Sequence, residues 1–423
     1  VALSRRFRRG DLATRRAEVT QLIKLSGDQS FGSDPEMIEL ADVMVESAVG
    51  YLSLPLGIAT GFLIDNEQLD IPMATEEPSV IAAAGYGASI VSRGGGFTTR
   101  PGKTVTRGQI YLQGAGADSA ELLRARRSEL AAEAAPVLQR MAARGGGLVE
   151  LDVEWLPESE SVRIEFLIDV RDAMGANLVN TAMERVRPVA ERLTGGQCLM
   201  AILSNSAVER LTVAECRVPV RYLERAGRSG AEMARRCELA SAVAAADPHR
   251  AVTHNKGIMN GITALALATG NDTRALEAAA HSYAAESGRY KPLSVYRVEG
   301  DQLYAGLAVP IVLGTVGGAA EVHPTSGAAR AVMGNPGAQR LACIAASLGL
   351  AQNLAAILAL VGEGIQPGHM GLHAQRLAWL AGARGKERAA VVAALKAEGE
   401  FTRQAAERAL SVVRTGEPET SGG

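Results

Sequence analysis

Between residues 104 and 204 the sequence carries a complete alternation of strand and helix signals, and no other feature narrows the fold as much. Gln109–Leu112 is strand-like, Ser119–Ala143 reads as a charged amphipathic helix, and Gly145–Gly147 as a turn. Leu148–Trp155 alternates as a strand. Arg163–Val170 is a second strand, Asn177–Leu193 a helix, and Cys198–Ser204 a final strand. The order β-α-β-β-α-β is that of a ferredoxin-like split βαβ unit. Such a unit closes its own core, so the chain on either side must build something else. A glycine-rich stretch, Arg93–Lys103, reads as the flexible junction into it.

The flanks are mainly helical. Asp11 precedes Leu12, Val19, Leu22 and Ile23 at helical spacing, and a second helix is expected over Pro35–Ala48 with Gly50 beyond its end. Pro55, Gly57, Gly61 and Pro72 divide short apolar stretches that read as strands or loops. Val80–Val91 is small and apolar, a buried helix with Pro78 in its first turn, whose N-terminus would favour an anion. From Leu239 onward helices dominate, with strands near Leu293–Val298 and Gln302–Val309. Pro367-Gly368 is expected to break the long helix that starts near Ala338, leaving short helices over His369–Val413 as a cap able to move. The expected fold class is therefore α+β. A large, mainly helical domain (1–103 and 205–366) carries an inserted ferredoxin-like domain (104–204) and a small C-terminal helical flap (367–423).

Composition excludes several functions. The 44 Lys and Arg nearly balance the 46 Asp and Glu, for a net charge of −2, where a nucleic-acid binder needs a basic excess. Aromatics at 4% leave little for base-stacking platforms. The 47% hydrophobic content separates the chain from disordered sequences. Cys198, Cys216, Cys237 and Cys343 form no C-x-x-C pair or zinc-ribbon spacing, so no metal site is expected. Buried thiols of this kind fit a reducing cytoplasm, the expected location. Asp11 and the charges after it interrupt any signal-peptide core, and Leu341–Val361, the most membrane-like run, contains Gln352 and Asn353 and reads as a buried helix. Only six of the basic residues are lysines, so a lysine inside a motif is notable.

The motifs carry the chemistry. Gly114-Ala115-Gly116 lacks the third glycine of G-x-G-x-x-G, and no P-loop occurs, so a Rossmann domain has no support. Asp172-Ala-Met174-Gly175-Ala-Asn177 follows a strand and opens a helix, an arrangement that can take phosphate but also describes an ordinary capped turn. His254-Asn255-Lys256-Gly257 sets a lysine among small and amide residues, able to stabilise an oxyanion. Asp272 follows Gly270-Asn271, where helix capping is the simpler reading. Glu76-Glu77 and Gly368-His369 complete a set of one Lys, one Asp, one Glu and one His, each expected in a small-residue turn.

Taken together these segments resemble the 3-hydroxy-3-methylglutaryl-CoA (HMG-CoA) reductase family. The strings are Glu76–Ser79, Asp172–Asn177, Leu203–Asn205, Thr253–Gly261, Ala268–Asp272, Gly314–Gly318, Leu350–Asn353 and Gly368–Met370, in the family's order over roughly residues 40–375. The Glu-Glu-Pro-Ser form resembles the class II bacterial enzymes. Glu46-Ser-Ala-Val-Gly50 departs from the family's Glu-Asn-Val-Ile-Gly.

The resemblance implies interconversion of HMG-CoA and mevalonate plus CoA with two NAD(P)H, through mevaldyl-CoA and mevaldehyde, in isoprenoid synthesis or mevalonate degradation. It implies Lys256 on the thioester oxygen, and Asp272 paired with Lys256 and Glu77. Glu77 becomes the proton donor to mevaldehyde, and His369 the donor to the departing CoA thiolate. Substrate contacts fall to Ser79, Arg250, Asn260, Gln352 and Arg8. Cofactor contacts fall to Glu150, Asp172, Met174, Gly175, Asn177 and Asn205. A carboxylate at Glu150 suits a free ribose hydroxyl and repels a 2′-phosphate, which favours NADH, with NADPH as the alternative. Family members are homodimers with the active site at the subunit interface, and assembly beyond the dimer is left open. Two rivals remain: a CoA-dependent acyltransferase, which would need a nucleophilic Cys or a different base, and a catalytically inactive relative, which the intact Glu77, Lys256, Asp272 and His369 argue against.

Overall fold

The computed structural model describes residues 7–23, 31–364 and 366–415, with the side chains of 22, 23 and 366–372 outside the description. Among the described residues ten strands form two sheets: β1 (Leu56–Ile64), β2 (Glu67–Ala74), β3 (Phe97–Arg100), β4 (Val105–Gln113), β5 (Gly147–Leu156), β6 (Ser161–Asp169), β7 (Gln197–Ser204), β8 (Leu211–Pro219), β9 (Ser294–Glu299) and β10 (Gln302–Pro310). The larger sheet runs β2-β1-β3-β8-β10-β9 and the smaller β5-β6-β4-β7. The fold is α+β. Numbered within its own segment, the smaller sheet has the order 2-3-1-4 and is antiparallel throughout, the ferredoxin-like arrangement. Its core, from Ile110 to Ala190, is separate from the main one.

The main core is unusual in what fills it. With few aromatics, close packing must come from small side chains and short helix–helix distances. Helices Val80–Arg93, Pro248–Ala268 and Ala338–Val361 pack together against the larger sheet. A Cβ on Gly87 would lie 2.1 Å from the Ala351 carbonyl oxygen, and one on Gly349 2.8 Å from Ile262 Cδ1. Ala338–Val361 is the one helix among the described residues apolar and long enough to cross a membrane. Since 78% of that stretch is buried in the protein, it is a core helix.

Several expectations change. The junction is not merely flexible: Phe97–Arg100 forms β3 and bridges β1 to β8. Gly95 and Gly96 take φ of 109° and 87° to deliver Phe97 into the core, where it stacks on Phe62 at 6.0 Å. β8, between β3 and β10, had no reading at all in the sequence. The expected Ser119–Ala143 helix is two helices, Ala117–Ala125 and Arg127–Ala142, divided where Arg126 leaves helical geometry. Pro35–Ala48 stops at Met44 because Val45 is extended. The long helix ends at Val361, at Gly362 and Gly364, and Pro367 instead lies in the first turn of Gln366–Leu380, where its missing N–H costs nothing. The last three helices, Gln366–Leu380, Lys386–Glu398 and Arg403–Thr415, share a small core of their own.

A buried polar network fastens two of the central helices. Ser294 Oγ donates to Asn353 Oδ1 at 2.8 Å, as does the Tyr296 hydroxyl. The hydroxyl proton of Ser294 being spent, His254 Nε2, 2.6 Å away, must be the N–H that donates to Ser294. Asn353 Nδ2 returns to the His254 carbonyl at 3.3 Å. Burial, with the nearby Arg250 charge, pushes the His254 imidazole down to about 4, so it is neutral in the fold. The unfolded chain binds that proton near pH 6.5, so stability is fully present above that value and declines as pH falls towards 4. The contribution at stake is on the order of 3 kcal/mol. Urea unfolding at neutral pH and at pH ~5 should therefore show a smaller acid loss for His254→Gln than for the parent chain. An equal loss would remove His254 from the acid response.

Candidate active site

Lys256 lies near the middle of the helix Pro248–Ala268, not in a turn. On a helix, Arg250, Thr253, Lys256-Gly257 and Asn260 recur on one face. Arg250 makes no ion pair among the described residues. A Cβ on Gly257 would meet nothing within 4 Å, so an open floor lies between these polar groups. Glu77 follows β2 in a turn held by its own N–H to Thr75 Oγ1 at 3.1 Å. Lys256 Nζ donates to Glu77 Oε2 at 2.7 Å. The two side chains are 59% and 37% exposed, and pairs so wet add only about 0–1 kcal/mol. The pair thus has little value for stability and leaves a charged, reachable ammonium above the floor.

Ser79 and Gln352 supply a second observation. Ser79 precedes the helix Val80–Arg93 with φ of 73°, in the left-handed region. Its hydroxyl caps nothing, and Pro78 stands outside the helix rather than in its first turn. Ser79 Oγ and Gln352 Oε1 are two of three side-chain polar atoms that are buried without a hydrogen-bond partner among the described residues. Leaving such an atom unsatisfied costs about 1–3 kcal/mol. Two such groups, on elements that also carry a carboxylate and pack against the lysine helix, offer bonds that a polar ligand can take up.

Asp272 is the capping residue its sequence suggested. It accepts from Arg274 N at 2.9 Å and Ala275 N at 3.2 Å, and pairs with the Arg274 guanidinium at 3.3 Å. It forms no ion pair with Lys256 within this chain, so the expected three-way set appears here only as Lys256 with Glu77. The side chain of His369 lies outside the described residues; its backbone belongs to Gln366–Leu380. That helix is tied to the Glu77 turn by Arg376, whose Nη2 donates to the Glu76 carbonyl at 2.7 Å. Arg8 is exposed in a short turn, Phe7–Arg9, with no bond to the site.

The Asp172–Asn177 loop opens the helix Ala176–Thr194. Gly175, with φ of 97°, is its N-cap, and no side chain caps it, so first-turn N–H groups stay available to an anion. Asn177 and Asn205 are exposed, and Met174 and Asn205 line a crevice with Thr106, Leu203, Ala207 and Arg210. This chemistry fits a dinucleotide phosphate. Asp172 is differently employed: its Oδ1 accepts from Ala338 N at 2.8 Å, capping the long core helix. Glu150 is exposed on β5. The pairing places Glu150, Leu167, Arg107 and Ser204 in one row across the uncovered sheet face.

Sequence reasoning missed Arg210, Arg376 and Asn271. Asn271 Oδ1 accepts from Gly314 N at 2.7 Å and links the Asp272 corner to the loop after β10. Asn271 and Gly314 both sat inside recognised motifs, but nothing marked them as partners. Cys216 and Cys237 are buried and their thiols pushed up to about 12, which leaves no activated nucleophile for an acyltransferase there.

Comparison with known proteins shows what the chain as a whole is similar to. The family model for hydroxymethylglutaryl-coenzyme A reductase matches residues 11–374. The 3-hydroxy-3-methylglutaryl-coenzyme A reductase of Archaeoglobus fulgidus is 44% identical over 386 residues, covering 89% of this chain and 86% of that one. A probable reductase of Borreliella burgdorferi is 34% identical over 375 residues, with 89% and 86% covered. A solved reductase structure from Streptococcus pneumoniae superposes with TM-score 0.76 at 38% identity, over 98% of this chain and 100% of that one. A second, the class II enzyme of that organism bound to NADPH in open conformations, gives 0.75 at 39% identity over 96% and 100%.

The helix contacts beneath the site are testable. Ala for Gly in a helix normally gains about 1 kcal/mol, but overpacking costs about 1–3. Gly87→Ala, driven against the Ala351 backbone, should be net destabilising in urea unfolding. Gly257→Ala, facing open space, should be stabilising.

Proposed function

The chain belongs to the HMG-CoA reductase family and is most like its class II members, and from that premise we propose how its own residues perform the reaction. The observation that carries the reading is Lys256 on Glu77, beside two buried polar groups that have no partner. Two nicotinamide dinucleotides supply the two hydrides. Lys256 holds the thioester oxygen and stabilises the alkoxide formed as the first hydride arrives. Collapse of that hemithioacetal releases the CoA thiolate, which His369 protonates. Glu77 donates the second proton, to the aldehyde oxygen, as mevaldehyde becomes mevalonate. Arg250 takes the substrate carboxylate through its fork, with Asn260, Ser79 and Gln352 bonding the remaining oxygens. Arg8 would contact the CoA tail. The C-terminal segment, docked through Arg376, closes over the substrate and brings in His369. The division into a large domain, an inserted domain from 104 to 204 and a flap from 367 is part of this reading.

The residues that would hold the dinucleotide are the uncapped N-terminus of Ala176–Thr194, suited to its phosphates, and Met174, Asn177 and Asn205 beside it. Asp172 holds that loop in place. Two features favour NADH. Glu150 is an exposed carboxylate with no ion-pair partner among the described residues. The guanidinium of Arg107, in the same row, spends both terminal nitrogens on Glu165 and Glu209, which leaves only its buried Nε unpaired and partly neutralises it towards a 2′-phosphate. With HMG-CoA, the purified protein should oxidise two NADH per thioester, at higher kcat/KM than with NADPH. No oxidation would sink the reductase reading, and a preference for NADPH would overturn the role of Glu150.

The working unit is a homodimer with shared sites in the cytoplasm. Val43 and Leu52 are 75% and 88% exposed, and Met44, Val45, Leu54, Leu56 and Ile58 extend the apolar patch. A patch of that kind marks an interface. It supports a second copy that carries Asp272 to the Lys256–Glu77 pair, which a single chain leaves without it. Lys256→Ala should cost roughly 10²–10³-fold in kcat, and Asp272→Ala should also disable the enzyme. Coexpressing the two variants should restore roughly a quarter of parental activity, because half the dimers hold one intact site. No recovery would place both groups in one chain.

A further inference from the structure

Arg210 is 3% exposed, yet no carboxylate among the described residues lies within ion-pair distance of it. Desolvation pushes its guanidinium down to about 10. The more distant Asp169 charge offsets only part of that burial, so the cation persists because hydrogen bonds over-determine it. Those bonds all go to neutral oxygens. Nε donates to the Val105 carbonyl at 3.0 Å and Nη1 to the Leu313 carbonyl at 3.4 Å. Nη2 donates to Thr106 Oγ1 at 2.7 Å and to the Met174 carbonyl at 3.2 Å. Thr106 Oγ1 donates to the same Met174 carbonyl at 3.1 Å.

These acceptors belong to different parts of the molecule. Val105 and Thr106 begin the first strand of the smaller sheet. Met174 belongs to the loop proposed to hold the dinucleotide. Leu313 follows β10 of the larger sheet, and its neighbour Gly314 is held by Asn271 beside Asp272. Thr315 N then bonds the Asp172 carbonyl at 2.8 Å. One planar fork thus ties the cofactor loop to the large-domain loop next to the acidic corner of the site. Lysine, with three donors on one atom, cannot reach acceptors spread so widely.

We propose that Arg210, with Thr106, is a positioning residue that fixes the Met174 loop relative to the large domain, and so sets the dinucleotide against the substrate. This rests on the reading that the Asp172–Asn177 loop binds the dinucleotide. The test is direct titration of NADH by its fluorescence, alongside KM for HMG-CoA and urea unfolding. The variants are Thr106→Val, which removes a shared acceptor while keeping shape, Arg210→Lys, and Asn177→Ala as a reporter of the loop itself. The expected result is NADH affinity weakened about tenfold in Thr106→Val and further in Arg210→Lys, with KM for HMG-CoA unchanged. A merely structural role would move both substrates together with the unfolding midpoint. That outcome, or unchanged NADH affinity in folded Thr106→Val when Asn177→Ala does weaken it, overturns the positioning role. If Asn177→Ala also leaves NADH affinity unchanged, the loop reading itself falls.

Discussion

Three helices packed closer than ordinary side chains allow are the constraint on which the site depends. Gly87 lies on the Ala351 backbone, and Gly349 under Ile262 and Ile258. These contacts join the helix after Ser79, the helix of Lys256 and the helix of Gln352. A chain so poor in aromatics fills its core by shortening distances rather than enlarging side chains. Polar groups near such contacts gain fixed positions. Ser79 and Gln352 can keep unsatisfied atoms because the backbone carrying them has no room to turn away. The His254–Ser294–Asn353 network adds direction to this packing, since hydrogen bonds fix rotation where dispersion does not.

The same reasoning divides what was legible in the sequence from what was not. The split βαβ unit was legible because its strands pair within one short segment and alternate cleanly. The helix starts at Pro35 and Pro248 and the cap at Asp272 carry local signals. β3 was hidden because four residues after three glycines are too short a run to read, although Phe97, Thr98 and Thr99 favour a strand; pairing with β1 and β8 makes them one. Lys256 was misread into a turn because Gly257 and Gly261 weaken any helical reading, while in the fold Gly261 serves close packing against Leu348 and Gln352.

For the site, residue types were legible and their employment was not. The resemblance to the reductases drew Lys256, Glu77, Ser79 and Gln352 into one set, and the structure puts the first two in contact and leaves the other two with open valence. Asp172 was read as touching the cofactor, yet it spends an oxygen on the N-terminus of a core helix. Arg210 and Arg376 carried no signal, because an arginine is unremarkable in a chain that uses arginine nearly everywhere for positive charge.

That bias makes Lys256 informative in a second way. Arginine would hold Glu77 as well or better, through two parallel bonds. Its planar fork would then be fully committed to the carboxylate. An ammonium keeps donors free on a single point charge, so the same group can hold Glu77 and still meet an oxygen that becomes negative. In the lone chain this charge is more than half exposed, where water screens it. Its worth grows as water is removed, and in the proposed reaction the two coverings are the C-terminal helices, tied to the Glu77 turn by Arg376, and a second copy at the exposed Val43–Ile58 face. A wet ion pair in the lone chain is therefore compatible with the proposed chemistry, in which exclusion of solvent strengthens a lysine already in place.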